Sequence, residues 1–212
     1  MQTMPGRLIV DVPLIDRRTD PVQSDAPWED PAALAVDWLP GADEERMPMT
    51  VSTVDAEGFP GARTVLLSEF DGERFFFHTD AASQKAADLT ANPKVSLTIL
   101  WPGFTRQLVV QGTAEIAPPD EASRAYATRS PYLRQLAWLN TTENARLPRA
   151  EREQRWAAFA AQHPEPAQPD GWVGYGVTPH RMLFWVSHPG APSRRVEYTR
   201  TSRGWTHRHL PG

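Results

Sequence analysis

The stretch from Arg63 to Gln107 constrains the fold more than any other part of the sequence. Two apolar runs within it, Val65-Leu66-Leu67 and Phe75-Phe76-Phe77, do not alternate with polar residues. Each run therefore predicts a strand that is covered on both faces. A sheet closed into a barrel covers one face, and a helix or a second subunit covers the other. The patterns predict strands at residues 63–68, 74–79, 94–100 and 106–116, with a short helix opening at Ser83.

The flanking segments add strands and helices to this pattern. A strand at residues 49–54 is predicted to pair with residues 63–69, and Asp71-Gly72 then turns the chain to complete a three-stranded meander. Asp30-Pro31 begins a helix that ends at Pro40-Gly41. Residues 118–163 are predicted to be helical, with Trp156 and Phe159 on an apolar face. Further strands are predicted at residues 172–177, 181–186, 195–199 and 204–210.

The first 28 residues lack a sustained periodicity, whereas the rest of the chain is patterned throughout. We predict an extended N-terminal arm over residues 1–28, with a short strand at residues 8–10, and one domain over residues 29–212. With 212 residues and 40% hydrophobic content, the chain is long enough to bury a full core as that single domain.

Composition excludes several classes of function. The net charge of −4 argues against non-specific nucleic-acid binding, because that binding needs a positive field. The sequence has no cysteine, so it forms no disulfide and no thiolate metal site. No apolar run is long enough for a membrane span, and we expect a soluble cytoplasmic protein.

Common catalytic and phosphate-binding motifs are also absent. The sequence contains no Gly-x-Ser-x-Gly, no Gly-x-Gly-x-x-Gly and no Gly-x-x-x-x-Gly-Lys-Ser/Thr. His207 and His209 would share one strand face, but no third ligand accompanies them, and we predict no metal site. Ser83-Gln84-Lys85 opens the short helix, where free N–H groups, a hydroxyl and a lysine could bind a phosphate.

Taken together, the motifs resemble one known family. Their order is Arg63-x-Val-Leu-Leu, an aromatic strand ending at Thr79, Ser83-x-Lys85, Asn92-Pro-x-Val-Ser-Leu and Arg106-Gln107-x-x-Val-x-Gly112. This order resembles the FMN-binding split barrel of the pyridoxamine 5′-phosphate oxidase family. The resemblance extends through Trp38, Trp138, Gly171-Trp172, Phe184-Trp185 and Arg195. It implies a mainly β fold with accessory helices, assembled as a homodimer.

The resemblance also implies which residues bind the cofactor. Arg63 and Lys85 would hold the FMN phosphate, Gln107 would hydrogen-bond the flavin, and Trp185 and Arg195 would reach it from the second subunit. Arg195 would supply positive charge for the reduced flavin. The implied cofactor-binding residues are Arg63, Thr64, Val65, Leu66, Leu67, Ser68, His78, Thr79, Ser83, Gln84, Lys85, Gln107, Trp185 and Arg195.

Departures from the family pattern fall mainly in the substrate site. Ala191-Pro192-Ser193 replaces an Arg-x-His motif, Ser68 replaces a lysine, and His78 replaces a tyrosine. Thr142-Glu143 stands where a Gln-Ser pair is usual. The implied substrate-binding residues are Ser68, Tyr126, Arg129 and Ser193, and no catalytic residue is assigned.

The resemblance implies FMN-dependent oxidation of a small aromatic or heterocyclic molecule, with oxygen as acceptor and pyridoxamine or pyridoxine 5′-phosphate as the family's usual substrate. Two alternatives stay open. Ser83-Gln84-Lys85 is similar to the phenazine-biosynthetic branch, which oxidises reduced polycycles. Loss of the substrate residues also fits a non-catalytic barrel that binds flavin or haem. A reductase, or a deazaflavin in place of FMN, is equally compatible with the residues.

Overall fold

The computed structural model describes residue 17, residues 19–41 and residues 47–212. Nine antiparallel strands form one curled sheet, in the order β2-β1-β5-β6-β7-β4-β3, with β8 and β9 following from β7. The strands are β1 Pro48–Val54, β2 Pro60–Leu66, β3 Glu69–Phe70, β4 Phe75–Asp80, β5 Lys94–Leu100, β6 Arg106–Ile116, β7 Trp172–Val186, β8 Arg194–Thr201 and β9 Gly204–Pro211. The helices are α1 Pro31–Trp38, α2 Gln84–Ala91, α3 Pro119–Ala127, α4 Pro131–Leu139, α5 Thr142–Ala145 and α6 Arg149–Gln162.

The inner face of the sheet carries the core and confirms the predicted mainly β fold. Val51, Leu97, Val110 and Met182 lie side by side on four neighbouring strands, and all four are fully buried. Their alternation with less buried residues follows from the two-residue period of a strand. The N–H of Ser68, just after β2, donates to the Phe76 carbonyl at 2.8 Å. This bond brings the free end of β2 back to β4 and curls the sheet into a split barrel.

The predicted meander is wrong, because β2 and β4 are not neighbours in the sheet. Strand β1 pairs with β2 and β5, while β4 pairs with β3 and β7. The hairpin between β1 and β2 forms as predicted, but the chain then leaves that edge. It returns on the far side of the curled sheet, where all three phenylalanines of β4 are buried.

The two strands predicted at residues 172–177 and 181–186 are one strand, β7, which carries a bulge opposite β6. Gln111 faces Arg181 and Gly112 faces Pro179, so His180 is the extra residue. Pro179 lies between the two predicted strands, and proline is rarely found inside a central strand. The bulge accommodates it. A Cβ on Gly112 would lie only 2.3 Å from the Thr178 carbonyl oxygen, so the close approach requires glycine.

The described end of the predicted N-terminal arm is packed against the barrel and is not extended. Val22, in a 3-10 turn at Pro21–Gln23, is fully buried in the core. The Asp20 carboxylate pairs with the Arg106 guanidinium at 2.6 Å. Apolar burial and an ion pair therefore fix residues that lacked a periodic sequence signal. The short strand predicted at residues 8–10 lies outside the described residues.

The helices form at the predicted places. Asp30 caps α1 by accepting from the Ala32 N–H at 2.9 Å, and α3 begins at Pro119. The apolar face of α6 packs on α4, with the Trp156 ring 5.3 Å from that of Tyr132 and the Phe159 ring 6.0 Å from that of Trp138. Within the described ranges, none of the helices is both long and apolar enough to cross a membrane.

Candidate functional site

The start of α2 brings a lysine and two hydroxyl groups together. Ser83 stands at the N-cap, yet its side chain makes no capping bond to the helix. Its hydroxyl instead lies 3.2 Å from Thr79 Oγ1, and Lys85 Nζ donates to the same oxygen at 2.7 Å. The first N–H groups of the helix therefore remain available beside a positive side chain.

Arg63 reaches this site from β2 and is held by a buried network. It donates to Thr53 Oγ1 at 2.7 Å and lies 3.5 Å from Asp88 Oδ2. Asp88 also accepts from Thr53 Oγ1 at 2.5 Å and from Gln84 Nε2 at 2.8 Å. One buried carboxylate therefore positions both Arg63 and Gln84. These hydrogen bonds, that from Thr53 foremost, lower the pKa of Asp88 despite its burial, so it stays ionised.

The electrostatics of this cluster favour an anion. Burial lowers the pKa of Lys85, and the nearby Arg63 charge lowers it further, while Asp80 acts in the opposite direction. Two cations that repel each other beside a helix N-terminus are stabilised when an anion binds close to both. We call Arg63, Thr79, Ser83, Gln84 and Lys85 the anion site.

A second group of predicted residues forms a row across three strands. Gln107 on β6 pairs with Trp185 on β7, and Trp185 pairs with Arg195 on β8. The Phe104 ring lies 4.7 Å from that of Trp185 and is itself about half exposed. Arg195 Nε is buried and has no hydrogen-bond partner among the described residues. The row therefore offers an amide, an aromatic ring and a cation on one face of the sheet.

The row and the anion site lie at opposite ends of β7. Thr79 faces Val173 at the start of β7, whereas Gln107 faces Trp185 near its end. Val173 and Trp185 are 12 residues apart on this strand, so the anion site and the row occupy different parts of β7.

A third cluster lies on the other face of β4. His78 Nδ1 is 2.8 Å from Ser68 Oγ, and His78 Nε2 is 3.1 Å from Glu121 Oε2 on α3. The imidazole stacks on the Trp172 ring, with centroids 5.3 Å apart and planes at 4°. The Arg129 guanidinium lies 4.4 Å from the same ring. The Ser68–His78–Glu121 array is thus fixed between β4, α3 and β7.

Ser68 also lines a cavity of about 550 Å³. The end of β2, the start of β3, α1 and α3 form its walls, and its lining is mainly apolar, including Leu39, Leu67, Phe70 and Ala125. Its size and lining are those of a site for a small organic molecule.

Comparisons with known proteins agree with this geometry. The family model described as pyridoxamine 5′-phosphate oxidase matches residues 43–169. A pyridoxine/pyridoxamine 5′-phosphate oxidase of Caulobacter vibrioides (strain NA1000 / CB15N) is 36% identical over 188 residues, which cover 86% of this chain and 85% of that protein. The protein of the same name from Rhodopseudomonas palustris (strain HaA2) is 35% identical over 190 residues, which cover 86% and 90%.

The chain belongs to the pyridoxamine 5′-phosphate oxidase family. Solved structures share its fold. PhzG from Burkholderia lata 383, in complex with tetrahydrophenazine-1-carboxylic acid, superposes with a TM-score of 0.79 at 23% identity and covers 95% of this chain and 99% of its own. A pyridoxamine 5′-phosphate oxidase-related, FMN-binding protein from Nostoc punctiforme PCC 73102 gives a TM-score of 0.64 at 17% identity, covering 78% and 87%.

As a member of the pyridoxamine 5′-phosphate oxidase family, the chain places the residues expected at its cofactor in two groups. Arg63, Thr79, Ser83, Gln84 and Lys85 converge, while Gln107 lies with Trp185 and Arg195 and not with the first group. Thr64 is exposed on the face of β2 opposite Arg63. Val65 packs against the core, Leu66 ends β2, and Leu67 is buried beside the cavity.

The residues expected to bind substrate are only partly brought together. The Tyr126 hydroxyl donates to the Ala167 carbonyl at 2.8 Å and to the Pro166 carbonyl at 3.1 Å, so this buried side chain holds the segment before β7. Burial raises its pKa, which keeps the phenol protonated. Its role in substrate binding stays a prediction. Ser68 lines the cavity and Arg129 lies over the Trp172 ring, whereas Ser193 is in the loop before β8.

Three site residues were missed from the sequence. Asp88 lies four residues after Gln84 on α2, a spacing that places both side chains on one helix face and could have revealed the pair. Thr53 ends a strand without any distinguishing pattern. Glu121 is in the first turn of α3, where acidic residues are usual, so its burial gave no sequence signal.

Proposed function

We propose that this protein is an FMN-dependent oxidoreductase that oxidises a small aromatic or heterocyclic substrate, with oxygen as the electron acceptor. The observation that carries the proposal is the anion site. The charges of Lys85 and Arg63 interact beside a helix N-terminus, in a member of a family with FMN-binding relatives. The FMN phosphate would accept hydrogen bonds from Lys85 and the helix N–H groups. When bound, the flavin accepts a hydride from the substrate.

We further propose that two copies of the chain share each cofactor site. Because the anion site and the Gln107–Trp185–Arg195 row lie near opposite ends of β7, we propose that one FMN contacts the anion site of one subunit and the row of the other. A two-fold axis creates two such sites per dimer. Arg195, whose Nε lacks a partner in the described structure, would then meet the flavin of the partner. Exposed Leu100 and Phe104 border the same face and fit a buried interface.

Pyridoxamine and pyridoxine 5′-phosphate are the first substrates to test, since the relatives are named for them. The purified protein is loaded with FMN, and its visible flavin absorption is followed after anaerobic addition of each vitamin phosphate. Bleaching, and recovery when oxygen is admitted, would support a vitamin phosphate oxidase. A protein that binds no FMN would contradict the proposal at its first step.

A reduced polycycle without a phosphate is the second candidate. Ser68, Ala191 and Ser193 stand where family members carry cationic or imidazole side chains, and the buried Glu121 carboxylate adds negative charge near Ser68. Flavin that persists with vitamin phosphates but bleaches with a dihydrophenazine would support this candidate. Bound flavin that no donor reduces would instead support a non-catalytic binding protein.

We place the protein in the cytoplasm. Its sequence contains no cysteine, which is compatible with a reducing compartment. Fractionation of the source cells, followed by detection of the protein with an antibody, would test this location. Recovery in the membrane or extracellular fraction would contradict it.

A further inference from the structure

The Ser68–His78–Glu121 array makes no contribution to the anion site, because it lies on the opposite face of β4. It is nevertheless continuous: a hydroxyl, an imidazole and a carboxylate are joined by contacts of 2.8 and 3.1 Å. The imidazole has no exposed surface, and the Glu121 side chain is 8% exposed. An imidazole between a hydroxyl and a carboxylate is suited to moving a proton.

Packing fixes the geometry of the array. The Ser68 N–H is bonded to the Phe76 carbonyl, and the imidazole lies flat on Trp172. Gly174, behind the pair, leaves the space that Glu121 and His78 need. A Cβ on Gly174 would lie 2.8 Å from Glu121 Oε2 and 3.0 Å from His78 Nε2. The main chain of β7 is therefore shaped around this array.

The donor and acceptor roles follow from the chemistry of the three groups. An ionised carboxylate only accepts hydrogen bonds, so Glu121 requires the proton of a neutral His78 to be on Nε2. Nδ1 is then an acceptor, and the Ser68 hydroxyl donates its hydrogen bond to it. Ser68 Oγ consequently turns its lone pairs toward other partners. Ser68 lines the 550 Å³ cavity, so this cavity is the place where a substrate would meet the Ser68 hydroxyl.

We propose that Ser68 accepts the proton that the substrate loses during oxidation, and that His78, beside the Glu121 carboxylate, takes up the hydroxyl proton of Ser68. The inference rests on the proposed oxidoreductase function. The substrate carbon gives up its hydrogen with two electrons to the flavin, and the N–H or O–H bond beside that carbon breaks. Its proton passes to Ser68 Oγ, while the Ser68 hydroxyl proton moves to His78 Nδ1. The product gains a C=N or C=O bond, and His78 becomes an imidazolium.

The buried carboxylate stabilises the state after transfer. Glu121 Oε1 is buried without a hydrogen-bond partner among the described residues, and the exposed Arg124, which interacts with the Glu121 charge, is itself paired with Glu69. An imidazolium 3.1 Å from Glu121 Oε2 would therefore add a close cation to a buried carboxylate. Ser68 is therefore the catalytic residue, and His78 and Glu121 are positioning residues that act through it.

The protonation pattern can be tested without any substrate. In nitrogen-15 NMR spectra of the histidine-labelled protein, His78 is assigned by the loss of its signals in His78→Gln. We expect neutral His78 to be protonated on Nε2 alone. In Glu121→Gln, where the side-chain amide can also donate, we expect an Nδ1-protonated form to appear, while Asp120→Asn, an exposed change on the same helix, should leave the pattern unchanged. Protonation on Nδ1 in the unaltered protein would overturn the proposal.

The catalytic part is tested by the rate of anaerobic flavin reduction under single-turnover conditions. With any donor that reduces the protein, and at saturating FMN, Ser68→Ala should lower the limiting rate about 100-fold or more. Ser123→Ala, an exposed change on α3, is the matched control. An unchanged limiting rate in Ser68→Ala would overturn the relay. Failure of vitamin phosphates to reduce the flavin would instead count against the vitamin substrate alone, because the histidine spectra do not depend on it.

Discussion

Lys85 is one of only two lysines in the sequence, and the other, Lys94, is exposed at the start of β5. We expect Lys85→Ala to weaken FMN binding by about 1.5–3 kcal/mol, the range for a hydrogen bond to a charged group. Lys94→Ala should leave the dissociation constant unchanged and is the matched control. The measurement is a fluorescence titration with FMN. Equal affinities for FMN in the two variants would contradict the assignment of the FMN phosphate to the anion site.

The lowered pKa of Lys85 also predicts a pH dependence. Because burial and Arg63 bring this pKa below the ordinary value of 10.5, the amine loses its charge at a lower pH than a solvated lysine. FMN affinity should therefore fall as the pH rises through that lowered pKa. Lys85→Arg stays charged and should lose this alkaline decline. If FMN affinity fell equally at alkaline pH in the unaltered protein and in Lys85→Arg, the decline would come from a group other than Lys85.

Asp88 positions cationic and amide side chains of the site and does not itself meet the ligand. We expect Asp88→Asn to destabilise the protein by about 1–3 kcal/mol at neutral pH, because Thr53, Gln84 and Arg63 lose a charged acceptor. The folded-state pKa of Asp88 lies below its ordinary 3.8. Its stabilisation is thus complete above that value and is lost as the pH falls through the lowered pKa.

Denaturant unfolding at neutral and acidic pH measures this effect. The difference between the unaltered protein and Asp88→Asn should narrow as the solution becomes acidic, whereas the exposed change Asp120→Asn should give little difference at any pH. A difference that stays constant through the acidic range would show that the Asp88 charge has no such role.

At the scale of elements, the bulge between β6 and β7 is the most constrained feature of the sheet. We expect Gly112→Ala to destabilise the protein by about 1–3 kcal/mol, because the new methyl group would overlap the Thr178 carbonyl. Gly190→Ala is the control, since the nearest atom to its Cβ is 3.7 Å away. Thermal unfolding compares the two. Equal stability would mean that the bulge relaxes without cost.

The positions of the helices and strands were largely predictable from the sequence, but the pairing of the strands in the sheet was not. The alternation of Val95, Leu97 and Ile99 and the capping at Asp30-Pro31 are local signals, and both elements form where the sequence predicts them. Pairing of β4 with β7 depends on contacts between residues nearly 100 positions apart, for which no local pattern exists. Turn chemistry at Asp71-Gly72 is genuine, but it joins β4 to β3 and not to β2.

The site divides in the same way. Arg63 and Lys85 were identifiable because they belong to the ordered motifs that resemble the family. Glu121 was not, since only the tertiary structure places a solvent-type residue of α3 against His78. The interpretation of Ser68 also changes with the structure. In the sequence, Ser68 only replaces a lysine of the family pattern, whereas in the structure its hydroxyl is hydrogen-bonded to His78.

At the scale of the whole molecule, the separation of the anion site from the row predicts complementation between subunits. Lys85→Ala and Arg195→Ala should each impair FMN binding. When the two variants are co-expressed with different tags and the mixed dimer is purified, one site should contain both defects and the other neither. We therefore expect one normal FMN site per mixed dimer, measured by titration with FMN. A mixed dimer without any normal site would place both residues in one subunit's pocket.

The scarcity of lysine gives the molecule a chemical reporter. Acylating reagents attack unprotonated amines, so Lys85, with its lowered pKa, should be modified faster than Lys94 while the anion site is empty. A bound phosphate would raise that pKa again and shield the amine. Peptide mass spectrometry of a single labelled sample would then give the extent of acylation at Lys85 relative to Lys94. This ratio would report how much of the anion site is occupied, with Lys94 as the internal reference.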